Sequence, residues 1–355
     1  MIIVSYPNIG EYERIVYNFL DIIIDKSKCK ILRPEKNNRK ILELGEENSP
    51  TNVCTPFKYT LGSMINSLNK GANAIIQIGG GCRFGYYAQI QEKILKKDMG
   101  YDFDFINLYN GNKLEFFKAV KKAKILNSNL KVQSLLKEIY FIVKLLRFSD
   151  NIITYIRDNE CYIDDKEHLK KIKNMILDDM LKIKTVNEIS LKNIKYKKEI
   201  DKLINKKDGK LKIGIVGELY SLMDSFSSNF LEKDLLKKGY KVKRYTTASY
   251  LLLDKNKMQK NLLNNSKLYL KYKIGADGTE SVAHTLELIN KGYDGVIHIK
   301  PFGCTPEINA MPILKKISDD YSFPIMFYTF DTLNSDTGFQ TRVEAFIDML
   351  EMRKK

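Results

Sequence analysis

At 355 residues the chain is too long for one typical domain, so two are expected, each able to bury a sizeable core. Hydrophobic residues make up 44% and charged residues 29%, which excludes disordered and fibrous classes. The formal net charge is +16, but the excess is mostly lysine spread along the chain, and arginine is sparse. That pattern is a solvated surface rather than a nucleic-acid interface, and it suits docking of an acidic partner.

Met1 to Tyr6 begins directly as a strand. There is no basic n-region, no small-residue cleavage site and no apolar run of spanning length, so a cytoplasmic protein without a membrane segment is expected. Apolar residues at helical spacing predict a helix over Tyr12 to Ile24. Cys29 to Leu32 reads as a second strand, and Ile41 to Gly45 as a short helix closed by glycine. Cys54-Thr55-Pro56 then opens a helix through Leu68. Ala74 to Ile78 is a buried strand running into Gly79-Gly80-Gly81-Cys82-Arg83-Phe84-Gly85, with a helix from Tyr86 to Lys97. A strand over Phe103 to Leu108 and a helix over Leu114 to Leu126 follow. Alternating strands and helices predict a parallel sheet covered on both faces.

Residues 127–210 show no strand pattern and read as a helical bridge, with helices over Leu135 to Leu146, His168 to Ile183 and Tyr196 to Ile204. A second α/β region starts at Leu211. Its strands are Ile213 to Val216, Tyr240 to Tyr245, Val296 to Ile299 and Pro324 to Phe330. Its helices are Asn229 to Lys238, Thr279 to Asn290, Pro306 to Ile317 and Gln340 to Met352, and Gly217 to Tyr220 reads as a loop.

The cysteines are Cys29, Cys54, Cys82, Cys161 and Cys304. An odd number without a C-x-x-C pair argues against a disulfide framework and against a local zinc knuckle. Cys29, in a predicted strand, and Cys161, in the helical region, read as structural. Cys82 and Cys304 each follow a predicted strand, and Cys54 and Cys304 each precede Thr-Pro at a helix start. Ligands gather at the carboxyl ends of strands in open α/β sheets. Helix N-termini favour thiolates, and glycines allow close approach. Cys54, Cys82 and Cys304 are therefore candidate ligands for an iron–sulfur cluster. Zinc with a bound water, or three plain buried thiols, fits the same residue types. Gly79-Gly80-Gly81 is not a P-loop, because no Lys-Ser/Thr follows, and G-x-G-x-x-G fails at Phe84. His298, on an apolar strand, reads as a core histidine, and no Ser/His/Asp order with a nucleophile elbow is found.

Several of these segments form an ordered set: Leu42 to Gly45, Cys54 to Lys58, Gly79 to Tyr87, Gly217 to Tyr220, Lys300 to Glu307 and Thr341 to Phe346. In that order they resemble the 2-hydroxyacyl-CoA dehydratase superfamily, in its branch of activase-associated and double-cubane cluster proteins. The resemblance covers both α/β regions and is weak across the helical middle. It implies an α/β architecture of two Rossmann-like parallel-sheet domains, 1–126 and 211–355, joined by the helical bridge 127–210. It also implies a [4Fe–4S] cluster, or a larger double-cubane cluster, in the interdomain cleft. By motif, Cys54, Cys82 and Cys304 match the ligands. The implied partners are an ATP-hydrolysing iron–sulfur activator and a homologous second subunit or second copy. In the dehydratases the open iron meets a thioester carbonyl, and one-electron reduction gives a ketyl radical that loses water. This chain lacks the activator's ATPase motifs and an obvious CoA signature. The first expectation is therefore a low-potential iron–sulfur redox component. A dehydratase catalytic subunit and a cluster-free scaffold are the alternatives.

Overall fold

Apolar strands alternating with amphipathic helices build two four-stranded sheets, and every strand pair in them is parallel. The computed structural model describes residues 1–77, 84–107, 124–129, 131–205, 211–332 and 336–354. By its contacts the chain divides into two compact units, Met1–Ile142 and Val143–Lys355. Among the described residues, no helix is long and apolar enough to cross a membrane.

In the first unit the strands are β1 (Ile2–Ser5), β2 (Cys29–Ile31), β3 (Ala74–Gln77) and β4 (Asp104–Asn107), in the order β2-β1-β3-β4. The helices are α1 (Glu13–Ile23), α2 (Arg39–Glu47), α3 (Thr55–Asn69) and α4 (Phe84–Lys93). Strand side chains alternate between faces. Ala74 and Ile76 therefore join Val4, Leu20 and Ile106 in one core layer, while Ile75 joins Phe57, Leu61 and Phe105 in the other. The predicted strands agree with this sheet. The helix expected over Leu114 to Leu126 lies mostly outside the described residues, as does the triple glycine.

Gly45 does not close α2. The helix continues to Glu47, and Gly45 is used for packing. A Cβ on Gly45 would stand 1.8 Å from the carbonyl oxygen of Lys58, and one on Gly62 would stand 1.9 Å from that of Ile41. The two glycines let α2 and α3 pack backbone to backbone, which sets where α3 begins. Gly62→Ala should cost about 1–3 kcal/mol of stability through overpacking, read as a lower denaturant midpoint with an unchanged slope.

The helical middle consists of α5 (Val132–Asn159), α6 (Lys166–Lys182) and α7 (Val186–Asp201). These helices run longer than periodicity alone predicts, because caps set their ends. Asp165 accepts from the His168 N–H, and Thr185 accepts from the Glu188 N–H.

In the second unit the strands are β5 (Lys212–Gly217), β6 (Lys241–Lys243), β7 (Gly295–Pro301) and β8 (Ile325–Phe330), in the order β6-β5-β7-β8. The order matches that of the first sheet, with the same inversion beside the first strand. The helices are α8 (Leu219–Met223), α9 (Leu231–Lys237), α10 (Lys255–Asn265), α11 (Gly278–Asn290), α12 (Thr305–Asp320) and α13 (Asp336–Lys354). Ile297 and Ile299 pack with Phe346 and Leu350 of α13 on one face. Val296 packs with Leu288 of α11 on the other. Residues 217–220, read as a loop, instead turn into α8. Glu218 caps that helix by accepting from the Tyr220 and Ser221 N–H groups. Gly217 is obligatory there, since its φ is +140° and a Cβ would lie 1.8 Å from the carbonyl oxygen of Ile299.

Candidate functional site

Parallel strands place the N-terminus of each connecting helix at the carboxyl edge of its sheet. In the first unit that edge presents Cys54 as the N-cap of α3, followed by Thr55 and Pro56 as anticipated. The cap has no side-chain hydrogen bond to the helix, and the half-buried thiol lies 2.8 Å from the Tyr87 hydroxyl. A buried amide network supports this end of α3. Gln91 donates to the Phe57 carbonyl and the Thr60 hydroxyl, and it accepts from Gln77 at the end of β3. Cys82 lies outside the described residues.

Cys304 occupies the corresponding edge of the second sheet. It is the N-cap of α12, and its N–H donates to the Pro301 carbonyl at 3.3 Å. Gly303, at φ +77°, makes the turn that brings the chain from β7 into the helix. Cys29 and Cys161 are buried. The Cys29 thiol donates to the Leu126 carbonyl at 3.3 Å, and burial pushes it up from the ordinary thiol range. Both fit a structural role.

The Cys-Thr-Pro tripeptides are not topological equivalents. Cys54 opens the helix before the third strand of its sheet, whereas Cys304 opens the helix after the third strand. The counterpart of Cys304 is Cys82, which lies in sequence between β3 and α4. The counterpart of Cys54 is Asp277, the N-cap of α11.

Asp277 belongs to a buried polar group that residue patterns did not reveal. Glu218 follows β5, Asp277 and Glu280 open α11, and Glu307 lies in the first turn of α12. All are at most 8% exposed. Glu218 accepts from two backbone N–H groups and from the Ser221 hydroxyl, yet burial holds it above the usual carboxylate range, reinforced by the charge of Glu307. Asp277 accepts from the Leu219 N–H at 3.1 Å. Burial pushes its carboxyl up to about 7, with Lys255 opposing and Glu218, Glu307 and Glu280 adding to the rise. Glu280 accepts from the Tyr250 hydroxyl and pairs with Lys255 at 3.2 Å through Oε1, while Oε2 has no partner among the described residues. Glu307 lies 2.7 Å from His298 Nε2 and accepts from the Ser281 hydroxyl. His298 is thus a core histidine partnered on one side, and its Nδ1 has no partner among the described residues. Chemically, the group holds a proton near neutral pH beside the turn that carries Cys304. The only sequence signals for it were the acids at two helix starts, Asp277 and Glu307, which also read as ordinary dipole-favouring residues.

Lys300, the second-last residue of β7, is 5% exposed and has no hydrogen bond or ion pair among the described residues. Burial lowers its pKa from the ordinary lysine range, against the opposing charges of Cys304 and Glu307. Among the described residues, no group of three or more His, Cys, Asp or Glu side chains is arranged to hold a metal ion. No protein-family model matches the chain, and no curated protein matches it.

Proposed function

We propose that the chain is an iron–sulfur redox protein of the 2-hydroxyacyl-CoA dehydratase type. In this reading Cys54, Cys82 and Cys304 hold a [4Fe–4S]-type cluster. The carrying observation is the contrast among the cysteines. Cys54 and Cys304 sit half-buried at the N-caps of long helices on sheet carboxyl edges, while Cys29 and Cys161 are fully buried. A thiolate is favoured at a helix N-terminus, and the backbone N–H groups there can donate to cluster sulfurs. Lys300, close enough to Cys304 to feel its charge, adds a cation on that side. The bound cluster would supply one-electron chemistry at low potential. The protein's own residues supply the thiolates, the helix-end donors and a protonatable acid group near one thiolate. Electrons would come from a separate ATP-hydrolysing partner, since this chain carries no ATPase motif.

Cys54→Ser, Cys82→Ser and Cys304→Ser should each lose most of the bound iron in protein purified without oxygen. Cys29→Ser and Cys161→Ser should keep it. Iron and sulfide analysis with electron paramagnetic resonance checks this. Full iron retention in Cys82→Ser would sink the ligand set.

A further inference from the structure

We propose that residues 266–273, which follow α10, form a contact surface for anionic lipid, with Leu268 and Tyr272 as apolar tips that enter it and Lys267, Lys271 and Lys273 as cations that meet its headgroups. Between Asp254 and Asp277 the chain carries six lysines and no acid. Lys255 turns inward and pairs with Glu280 at 3.2 Å. The other five, Lys257, Lys260, Lys267, Lys271 and Lys273, are exposed, and none of them has an ion pair among the described residues. Leu268 is 81% exposed and Tyr272 82%. A single exposed apolar side chain is ordinary. Two that stand this far out within five residues, each beside a lysine, make a cluster that is apolar at its tips and of one charge around them.

The fold holds these tips outward. Leu270, between them, is 4% exposed and packs with Val282, Ala310 and Leu314. Ser266 is buried, and its hydroxyl donates to the Leu262 carbonyl at 2.6 Å. Its carbonyl accepts from the Tyr269 and Leu270 N–H groups at 2.9 and 2.8 Å. The Tyr269 hydroxyl donates to Asp320 at 3.0 Å, and Lys316 offsets that acid at 2.6 Å. A protein partner would have to offer a pocket for each protruding tip. A lipid interface accepts convex apolar tips directly, and tyrosine favours that depth. Lysine stems lie along the apolar layer there while their ammonium groups stay among the headgroups. Anionic headgroups complement the single sign of charge, with a gain of about fivefold in affinity for each lysine near the surface.

Cosedimentation of the full chain with phosphatidylcholine vesicles, with and without about 30% phosphatidylserine, tests this. Binding is expected only to the anionic vesicles, and it should weaken as salt is added. Lys267→Gln with Lys271→Gln should weaken it about 25-fold, from about fivefold per lysine. Leu268→Ser with Tyr272→Ser should weaken it about tenfold or more, because the apolar burial is lost. All four positions are solvent-facing, so both double variants should keep the urea midpoint of the unaltered protein. Lys170→Gln with Lys171→Gln removes the same charge from exposed positions on α6 and should bind within about twofold of the unaltered protein. No binding to the anionic vesicles would overturn the proposal. Equal loss from the α6 pair would overturn it too, as would full binding by the serine pair. Binding to polyglutamate but not to vesicles, lost in Lys267→Gln with Lys271→Gln, would assign the segment to an acidic protein and overturn the lipid assignment.

Discussion

His298→Leu is expected to destabilise the second unit by about 3–5 kcal/mol, because it strips Glu307 of its closest partner. Both side chains are fully buried, and the 2.7 Å contact joins β7 to the first turn of α12. Without the imidazole, the carboxyl keeps only the Ser281 hydroxyl, at 3.1 Å. Glu307→Gln is milder, about 1–2 kcal/mol, since an amide still fills the space and bonds the ring. The double variant His298→Leu with Glu307→Leu should recover much of the loss, because an apolar pair replaces a buried polar one. Denaturant unfolding of the four proteins measures the coupling. If the double variant loses the sum of the two single changes, the contact does not tie β7 to α12 energetically. The pair also ties β7 to the first turn of the helix whose N-cap is Cys304; under the proposed cluster reading, His298→Leu should lower iron retention even at temperatures where the protein stays folded.

That pair marks the border between what residue patterns reveal and what they hide. The central strands were legible because they are short apolar runs bounded by Gly, Pro or charged residues, as Val296 to Ile299 is. The start of α3 was legible too, because Thr55-Pro56 is a local signal that needs no tertiary context. Gly45 was misread for the opposite reason. A glycine at the end of an apolar run looks like a cap, and only the approach of α3 shows that its missing side chain is a packing surface. The buried acids were invisible for the same kind of reason. Glu218, Asp277, Glu280 and Glu307 come from three separate segments, and each alone is unremarkable at a helix start. Their meeting follows from the strand order β6-β5-β7-β8, which brings the end of β5 beside the end of β7. Both Cys-Thr-Pro tripeptides open helices, as read, but the order shows that they occupy different places in the two sheets, and Asp277 stands where the first unit has Cys54.

Asp277→Asn tests that buried group through the pH dependence of stability. The Asp277 carboxyl is pushed up to about 7 in the folded protein, from 3.8 when unperturbed. Between these values the folded state holds a proton that the unfolded state has released. Stability therefore falls as pH rises from about 4 to about 7 and levels off above that, because ionised Asp277 must sit beside Glu218, Glu280 and Glu307 with only Lys255 to offset it. A rise of roughly three pH units corresponds to at most about 4 kcal/mol. Because the acids share their protons, about 2 kcal/mol is the expected change. Asparagine keeps an oxygen to accept the Leu219 N–H but cannot ionise. Asp277→Asn should match the unaltered protein near pH 3.5 and exceed it by about 2 kcal/mol near pH 8. Urea unfolding at both pH values decides the matter. A variant whose advantage shrinks with rising pH would mean that Asp277 is ionised throughout and that its contact with Lys255 is a stabilising ion pair. An advantage that grows with pH would place a proton of near-neutral affinity beside the turn carrying Cys304.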